Sequence, residues 1–305
     1  MGQRELIEHH GLNAAQQQAN DDPALIASTS RVMADDQLQM SLLYSGFCVL
    51  ALPHRRLPDN EKFVQSWANN TLEIEPGWLP GQGQKTPIGA PYGSYARLAL
   101  LYLQTAALKA DSPRVEVGGS MSAWLSRVGI NTSGGKTRSN MKEQMLRLSA
   151  CRMTITWPED SGKLGFTRIQ LIKDGVLAPD TLDSAVQGRL WADEVTLDDA
   201  FFRALKAHPV PVQEAAVREL VNNSGALDIY VWLAYRLHSL NSAVSIRWSS
   251  VMAQFGSGYK NIRSFRQRFR ERLKLALAVY PDARVDVTDE GLILHPSHPP
   301  IPYMS

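Results

Sequence analysis

The sequence predicts a helix-rich α+β fold, because the same order of elements occurs twice along the chain. In each copy an apolar helix is followed by a short strand, two more helices and a β-hairpin. This order is typical of a helix-turn-helix that carries a hairpin wing. We therefore predict two tandem winged-helix domains, at residues 41–190 and 191–305. A flexible, Gln- and Asp-rich N-terminal tail at residues 1–40 precedes them, and partial helix stays open for it.

The first copy begins at Pro91, a residue type that is tolerated at the start of a helix. The helix that follows, up to Lys109, is apolar on nearly every face, which predicts burial inside a domain. The turn signal between Pro158 and Gly162 predicts the hairpin. The other elements of this copy are predicted as a strand at Val115–Val117, helices at Ser120–Val128 and Lys136–Leu148, and hairpin strands at Arg152–Trp157 and Leu164–Ile172, with two earlier strands at Phe47–Leu52 and Asn69–Ile74.

The second copy shares the order of the first but little sequence identity, so the repeat is one of topology. Between the copies lie residues 190–195 and a helical run at residues 198–223 that Pro209 and Pro211 interrupt. The second copy is predicted as helices at Leu227–Leu240, Ser249–Phe255 and Asn261–Tyr280, with strands at Val244–Ile246, Arg284–Val287 and Leu292–His295.

Length and composition favour a globular protein of about two domains. The chain has 305 residues, of which 44% are hydrophobic and 20% charged, enough to form buried cores. Its two cysteines, Cys48 and Cys151, exclude a disulfide scaffold and a four-cysteine zinc site, and we expect both to be buried. No secretory signal and no membrane-spanning run is recognised. The expected location is therefore the cytoplasm.

Positive charge is concentrated in one predicted helix of the second copy. The segment from Lys260 to Lys274 has seven basic residues and one acid, a local charge of +6 in a chain whose net charge is +2. At 100° per residue the apolar side chains share one face and the basic side chains lie outside it. The apolar face consists of Ile262, Phe265, Phe269, Leu273, Ala276 and Leu277; the opposite stripe consists of Arg263, Gln267, Arg270 and Lys274, with Arg268 beside it and Arg266 and Arg272 at its borders.

A helix of this kind suits the major groove of DNA, because it fits the groove width and neutralises phosphates. Arginine can form two hydrogen bonds to guanine, and glutamine can do the same to adenine. Arg263, Gln267 and Arg270 are therefore the candidates for reading bases, and Lys260 and Lys274 those for binding phosphates. The alternative is an ordinary solvated basic face.

The third helix of the first copy has a weaker basic character. Its first turns contain Lys136, Arg138, Asn140 and Lys142. They are candidate DNA contacts, but an exposed helix of ordinary charge, or a surface for a second subunit, stays equally open. The loop of the first hairpin contains Lys163, whereas the second hairpin is acidic, so we assign no phosphate contact to the second one.

Several other patterns do not predict catalysis. The Gly134-Gly135-Lys136-Thr137 segment has isoleucine where a phosphate-binding loop needs glycine, and a predicted helix precedes it. His9, His10, His295 and His298 have no metal-ligand companions in the sequence, and the tryptophans are interpreted as core residues. We therefore expect no enzyme activity, no cofactor and no metal.

Four segments of the chain resemble the plasmid-encoded RepA replication initiators of Gram-negative bacteria. The similar blocks are PYGSYARLALLYLQT (91–105), MSAWLSRVGI with the following GGKT (121–137), HPVPVQEAAVRELVNNSGALDIYVWLAYRLHSL (208–240) and FRQRFRERLKLALAVYP (265–281). The resemblance covers residues 90–298 and does not extend to the N-terminal tail. It implies a tandem winged-helix protein that binds repeated double-stranded sites at a plasmid origin.

The resemblance also implies partners and regulation. Host initiator and helicase-loading proteins are the implied partners, and homodimer formation is implied as the means of copy-number control. The runner-up function is a winged-helix transcriptional repressor without a role in replication. A third class, an ATP-driven enzyme, is disfavoured because Ile130 stands where a phosphate-binding loop has its first glycine.

Overall fold

A computed structural model describes residues 7–8, 22–67, 69–78, 87–159, 162–175 and 194–301. These residues form two compact units. The central unit is formed by Leu42–Pro209, and the C-terminal unit by the described residues of Met1–Ser41 together with those of Val210–Ser305.

Helices occur in both units, and most begin or end close to the predicted positions. In chain order the helices are α1 (Pro23–Met33), α2 (Gly46–Val49), α3 (Gly93–Lys109), α4 (Gly119–Arg127), α5 (Gly135–Ala150), α6 (Asp199–Ala207), α7 (Glu214–Leu220), α8 (Ser224–Arg236), α9 (Trp248–Phe255) and α10 (Ile262–Ala278), with a 3-10 turn at Leu237–Ser239 after α8.

The strands are short and belong to several small sheets. In chain order they are β1 (Met40–Tyr44), β2 (Phe63–Trp67), β3 (Asn70–Glu75), β4 (Arg114–Glu116), β5 (Arg152–Pro158), β6 (Leu164–Ile169), β7 (Ile172–Gly175), β8 (Glu194–Leu197), β9 (Pro209–Gln213), β10 (Val244–Arg247), β11 (Val285–Val287) and β12 (Gly291–Leu294).

In the central unit, α3 is the core helix, since its residues from Ala96 to Thr105 are all buried. It packs against α4, α5, α6 and β4. A four-stranded antiparallel sheet has the order β2-β3-β5-β6, and the register places Leu72 opposite Ile155 and Ile74 opposite Met153. These four side chains are buried, so one face of the sheet contributes to the core.

In the C-terminal unit, α8 has the same role as α3 in the central unit. Nine of its thirteen residues are buried, and α10 packs against α8, α9 and α1. The strands β10, β12 and β11 form an antiparallel sheet in that order, in which Leu294 lies opposite both Val244 and Val285. The predicted order of helix, strand, two helices and hairpin is therefore present here, with the short strand paired to the hairpin.

The central unit has the same order of elements but a different sheet arrangement. Its short strand β4 pairs with β8, which also pairs with β7, whereas the β5–β6 hairpin extends the β2–β3 hairpin. The reason is the alternation of apolar residues in β5, which matches that of β3 and buries both on one face. The two copies thus agree in order and differ in strand pairing.

The division between the units differs from the predicted boundary at residues 190 and 191. Strand β8 is the middle strand of a sheet in the central unit, and α6 packs against α3 in that unit. The chain therefore leaves the central unit after Pro209. Residues 190–195, which the sequence places between the two copies, lie mostly outside the described residues, since the description resumes at Glu194.

Two further predictions differ from the structure. The predicted strand at Phe47–Leu52 is replaced by the short helix α2. Within the predicted flexible tail, α1 is a helix that Asp22 caps through its side chain, and its Leu25, Ile26 and Val32 are buried in the C-terminal unit. The pattern of apolar residues explains this helix and its burial in the unit, which the polar composition of residues 1–40 does not indicate. The tail at residues 1–6 and 9–21 lies outside the described part of the chain.

Candidate nucleic-acid interface

The basic segment predicted from sequence is helix α10 of the C-terminal unit. Asn261 caps it, with Oδ1 accepting a hydrogen bond from the Ser264 amide at 2.9 Å. Phe265, Phe269 and Leu273 are buried on its inner face. The predicted amphipathic arrangement is therefore present, with the exception that Ile262 is 38% exposed at the first turn.

An aromatic cluster supports the inner face of α10. Phe265 and Phe269 lie 5.5 Å apart between ring centroids, and both contact Trp248 of α9 edge to face. Phe255 packs on Phe269, also at 5.5 Å. This support of the inner face is therefore made of aromatic rings.

The candidate DNA-binding side chains of α10 are at the surface. Arg263, Gln267 and Lys274 are exposed, and so is Lys260 immediately before the helix. Arg268 is exposed and forms an ion pair with Glu271, with 2.8 Å between Nη1 and Oε2. No described acid forms an ion pair with Lys260 or Arg263. The positive charge of Lys260 and Arg263 is therefore available to an external anion.

Arg266 and Arg270 are in a different environment from the other basic residues of α10. Their guanidinium carbons lie 5.5 and 5.4 Å from the ring centroid of Trp248. Arg266 is half-buried, whereas Arg270 is exposed and its Nη2 lies 3.5 Å from the carbonyl oxygen of Thr288 in the second hairpin. Sequence analysis did not anticipate these contacts, because Trp248 lies on another helix.

In the central unit, the weaker candidates lie on α5. Lys136 and Arg138 are exposed in its first turn, and Asn140 and Lys142 are half-buried. The helix starts after Gly134, and no described side chain caps it. Arg138 donates a hydrogen bond to the Ser133 carbonyl at 3.3 Å. The four predicted side chains thus lie in the N-terminal half of α5.

The other end of α5 is held by a buried cation. The side chain of Arg147 is only 3% exposed, and its Nη2 lies 3.0 Å from Asp59 and 2.9 Å from Glu143. Its guanidinium group also stacks over Tyr92 at 5.2 Å. Desolvation raises the pKa of Asp59, but hydrogen bonds and charges from Arg56 and Arg147 outweigh it and leave that pKa below its usual value.

The two hairpins differ in charge, as the sequence predicts. In the first, Lys163, Leu164 and Phe166 are exposed. In the second, Asp289 and Glu290 form an exposed acidic turn. The backbone of that turn contacts α9, because the Glu290 carbonyl accepts a hydrogen bond from the Trp248 amide at 2.9 Å.

Comparison with known proteins identifies the family of this chain. The model of the family described as plasmid encoded RepA protein matches residues 90–254, more than half of the sequence. The chain belongs to the plasmid-encoded RepA protein family. This membership supports a role as a replication initiator. No curated protein matches the chain.

Two solved structures are similar to this RepA-family chain. One is a crystal structure of a selenomethionine derivative of domains 2 and 3 of RctB, with 13% identity, a TM-score of 0.49, and 81% of this chain and 83% of that chain covered. The other, also of RctB domains 2–3, has 10% identity, a TM-score of 0.48, and 81% and 93% coverage.

The family match and the basic helix occupy different parts of this RepA-family protein. The match runs from the residue before Pro91 to Gln254 and so includes α3 to α8 and nearly all of α9. Helix α10 and the second hairpin lie beyond it. The function of α10 is therefore argued from its own side chains and contacts.

The remaining expectations can be compared with the described residues of the RepA-family chain. Cys48 and Cys151 are buried as predicted, and burial raises the pKa of both thiols, that of Cys151 to about 12. The described residues contain no group of three or more potential metal ligands, and none of their helices has the length and hydrophobicity of a membrane span. Trp248 is a core residue as expected, but Trp78 is 52% exposed. Trp191, His9 and His10 lie outside the description.

Proposed function

We propose that this protein binds repeated double-stranded DNA sites at a plasmid origin and that α10 reads the major groove. The observation that carries the proposal is the division of α10 into a buried aromatic face and an exposed cationic face. Arg263, Gln267 and Arg270 contact base edges in this proposal, and Lys260, Arg268 and Lys274 contact phosphates.

The arrangement around α10 supports a winged-helix unit. Helices α8, α9 and α10 pack together, and β10 pairs with β12 of the hairpin that follows α10. In a helix-turn-helix protein the second helix of the motif lies in the major groove. In this proposal α9 is the first helix of the motif and α10 is the second. The acidic turn at Asp289 and Glu290 is not assigned a phosphate contact.

We assign a second DNA contact to the central unit. There α5 takes the same place in the order as α10, and Lys136, Arg138, Asn140 and Lys142 are its contact residues. Two reading units on one chain raise the effective concentration of the second after the first has bound. They also allow two major-groove contacts about 34–36 Å apart, one turn of DNA.

The proposed mechanism uses binding energy and involves no bond chemistry. Two contacts on one duplex bend or wrap it, and the stored deformation energy assists opening of a neighbouring AT-rich segment. Host initiator and helicase-loading proteins are the partners we propose for the following step. We further propose a cytoplasmic protein whose homodimer limits copy number.

A double substitution tests the DNA interface. Arg263→Ala with Arg270→Ala is expected to lower affinity for an origin-derived duplex by about 1–3 kcal/mol per lost base contact. The matched control, Arg152→Ala with Arg203→Ala, removes two exposed arginines outside both basic helices and leaves affinity unchanged. Equal affinities for the two variants in fluorescence anisotropy would show that α10 is not the DNA-binding helix.

A plasmid assay separates an initiator from a repressor. The gene, supplied in trans, is expected to let a plasmid that has only the cognate origin replicate in a host that otherwise cannot maintain it. Permanganate reactivity of the AT-rich segment, measured with host factors present, reports opening of the DNA duplex. DNA binding without replication and without opening would favour the repressor instead.

A further inference from the structure

We propose that Trp248 is a positioning residue of the DNA interface, whose indole ring holds Arg266 and Arg270 in the orientation in which they meet the duplex. The inference rests on the proposed function of α10. Trp248 does not contact DNA in this proposal, since it is only 1% exposed. It acts through the two arginines.

The distances support stacking of both guanidinium groups on one ring. The guanidinium carbon of Arg266 lies 5.5 Å from the ring centroid and that of Arg270 lies 5.4 Å from it, within the range of a cation–π contact. Arg266 and Arg270 are four residues apart, so they occupy neighbouring turns on one side of α10. A single buried ring therefore orients two cations on neighbouring turns of α10.

The ring itself is fixed from several sides. Phe265 and Phe269 contact it edge to face at 6.4 and 5.8 Å. Its N–H group donates a hydrogen bond to the Thr288 carbonyl at 3.1 Å, and its amide donates one to the Glu290 carbonyl. Helix α9, helix α10 and the second hairpin thus share one contact point, which keeps the ring in a single orientation.

Stacking provides most of the orientation of these arginines. The buried Nε of Arg266 has no hydrogen-bond partner among the described residues, and Arg270 has only the 3.5 Å contact to Thr288. Arg263 and Arg268 lack a described aromatic ring beneath them. A guanidinium group stacked by its face keeps its edge free for two hydrogen bonds to guanine. Orientation before binding also reduces the entropy that is lost on binding.

From this geometry we infer that guanine selectivity comes mainly from Arg266 and Arg270. Lys260, Arg268 and Lys274, which the proposed function assigns to phosphates, contribute affinity that depends little on sequence. Loss of the ring should therefore reduce discrimination between sites and should leave the salt dependence of binding almost unchanged, because no cation is removed.

The test compares two tryptophans of the same unit. Trp248→Leu removes the stacking ring. The control, Trp232→Leu, removes another ring that is 1% exposed and packs on Phe255, but that has no described arginine over it. The probes are a duplex selected by the wild-type protein from a random pool and a scrambled duplex of equal composition. Affinities are corrected for the folded fraction of each variant.

Trp248→Leu is expected to lower the ratio of selected to scrambled affinity about tenfold, and Trp232→Leu to change it less than twofold. Trp248→Phe keeps an aromatic ring and should restore most of the ratio.

If Trp248→Leu does not fold, Arg270→Lys replaces it, since lysine keeps the charge but not the planar stack. Arg268→Lys is then the control. Equal losses in test and control variants would overturn the positioning role.

Nuclear magnetic resonance of the arginine Nε–Hε groups tests the stacking without DNA. In the wild-type protein, Arg266 and Arg270 should be less mobile than Arg263, and Trp248→Phe should leave that difference in place. Equal mobility of the three in the wild-type protein would contradict the proposal. A wild-type protein that bound no duplex would instead refute the proposed function, while these spectra would still decide the stacking.

Discussion

Helices α5 and α10 occupy equivalent places in the order of elements but are held by different chemistry. Helix α10 rests on the rings of Trp248, Phe265 and Phe269. Helix α5 is held at its end by a buried cation, Arg147, between Asp59 and Glu143. Both helices bury apolar side chains, but α5 adds an ionic contact at its end, whereas α10 relies on packed aromatic rings.

This difference determines how many cations each helix can offer to a ligand. In α10 the aromatic rings support the inner face, so its exposed cations are free to face outward. In α5 one of the basic residues serves the fold. Counting basic residues along a sequence therefore overestimates the positive surface of α5, and in α10 it includes Arg266 and Arg272, which are only partly exposed.

Phe269→Ala is expected to have the largest effect. It removes a ring that is 2% exposed and that contacts three others, so the C-terminal unit should lose about 3–5 kcal/mol of its free energy of unfolding. Urea unfolding measures the loss, and hydrogen exchange should place it in α8 and α10 peptides. Phe166→Ala, at a side chain that is 60% exposed, should cost less than about 0.5 kcal/mol. Similar costs for the two would contradict the aromatic attachment.

Arg147→Met tests the ionic attachment and should cost about 2–3 kcal/mol, because it leaves Asp59 and Glu143 without their cation. The cost is below that of a fully buried pair, since both acids are about one-third exposed. Hydrogen exchange should increase in α5 and not in α10. Arg152→Met, at an exposed arginine next to the same helix, serves as the control. Unchanged exchange in α5 would show that Arg147 does not anchor it.

The two attachments should also differ in their response to pH. The pKa of Asp59 is lowered in the folded protein, so its contribution is fully present above the unfolded value of about 3.9 and is lost as the pH falls through the lower folded value. The difference in unfolding free energy between wild type and Asp59→Asn should therefore shrink from pH 6 to pH 3. The difference between wild type and Phe269→Ala should stay nearly constant, since no titratable group is removed. A pH-independent Asp59→Asn difference would contradict the ionic role.

The smallest expected effect concerns single lysines at the start of each helix. Lys260→Ala and Lys136→Ala should each reduce the slope of log affinity against log salt by about 0.9, if both helices meet phosphates. Binding at several salt concentrations measures the slope. A change for Lys260→Ala alone would restrict the DNA interface to the C-terminal unit.

Much of the secondary structure and the composition of the candidate site could be predicted from the sequence. The periodicity of α10 places Phe265 and Phe269 inward and Arg263 and Gln267 outward, and the structure agrees. The predicted helices of both copies are present, because strong periodic patterns depend mainly on neighbouring residues. Helix α2 was missed, since a short apolar run is compatible with either a strand or a helix.

Features that depend on distant parts of the chain were not predicted. The membership of α1 and β8 in their units depends on packing and strand pairing across more than seventy residues. The role of Arg147 depends on Asp59, 88 residues away in the sequence. A basic residue among the inward-facing Met145 and Leu148 was the available signal for that role.

The sequence by itself determined which helix is basic and which of its faces is apolar, because the turn of a helix relates residues three and four positions apart. Only the tertiary structure decided which arginines stack on Trp248, which strand each hairpin joins and where the chain passes from one unit to the other. Those outcomes depend on side chains that approach one another only after folding, and the local pattern of a sequence does not record such contacts.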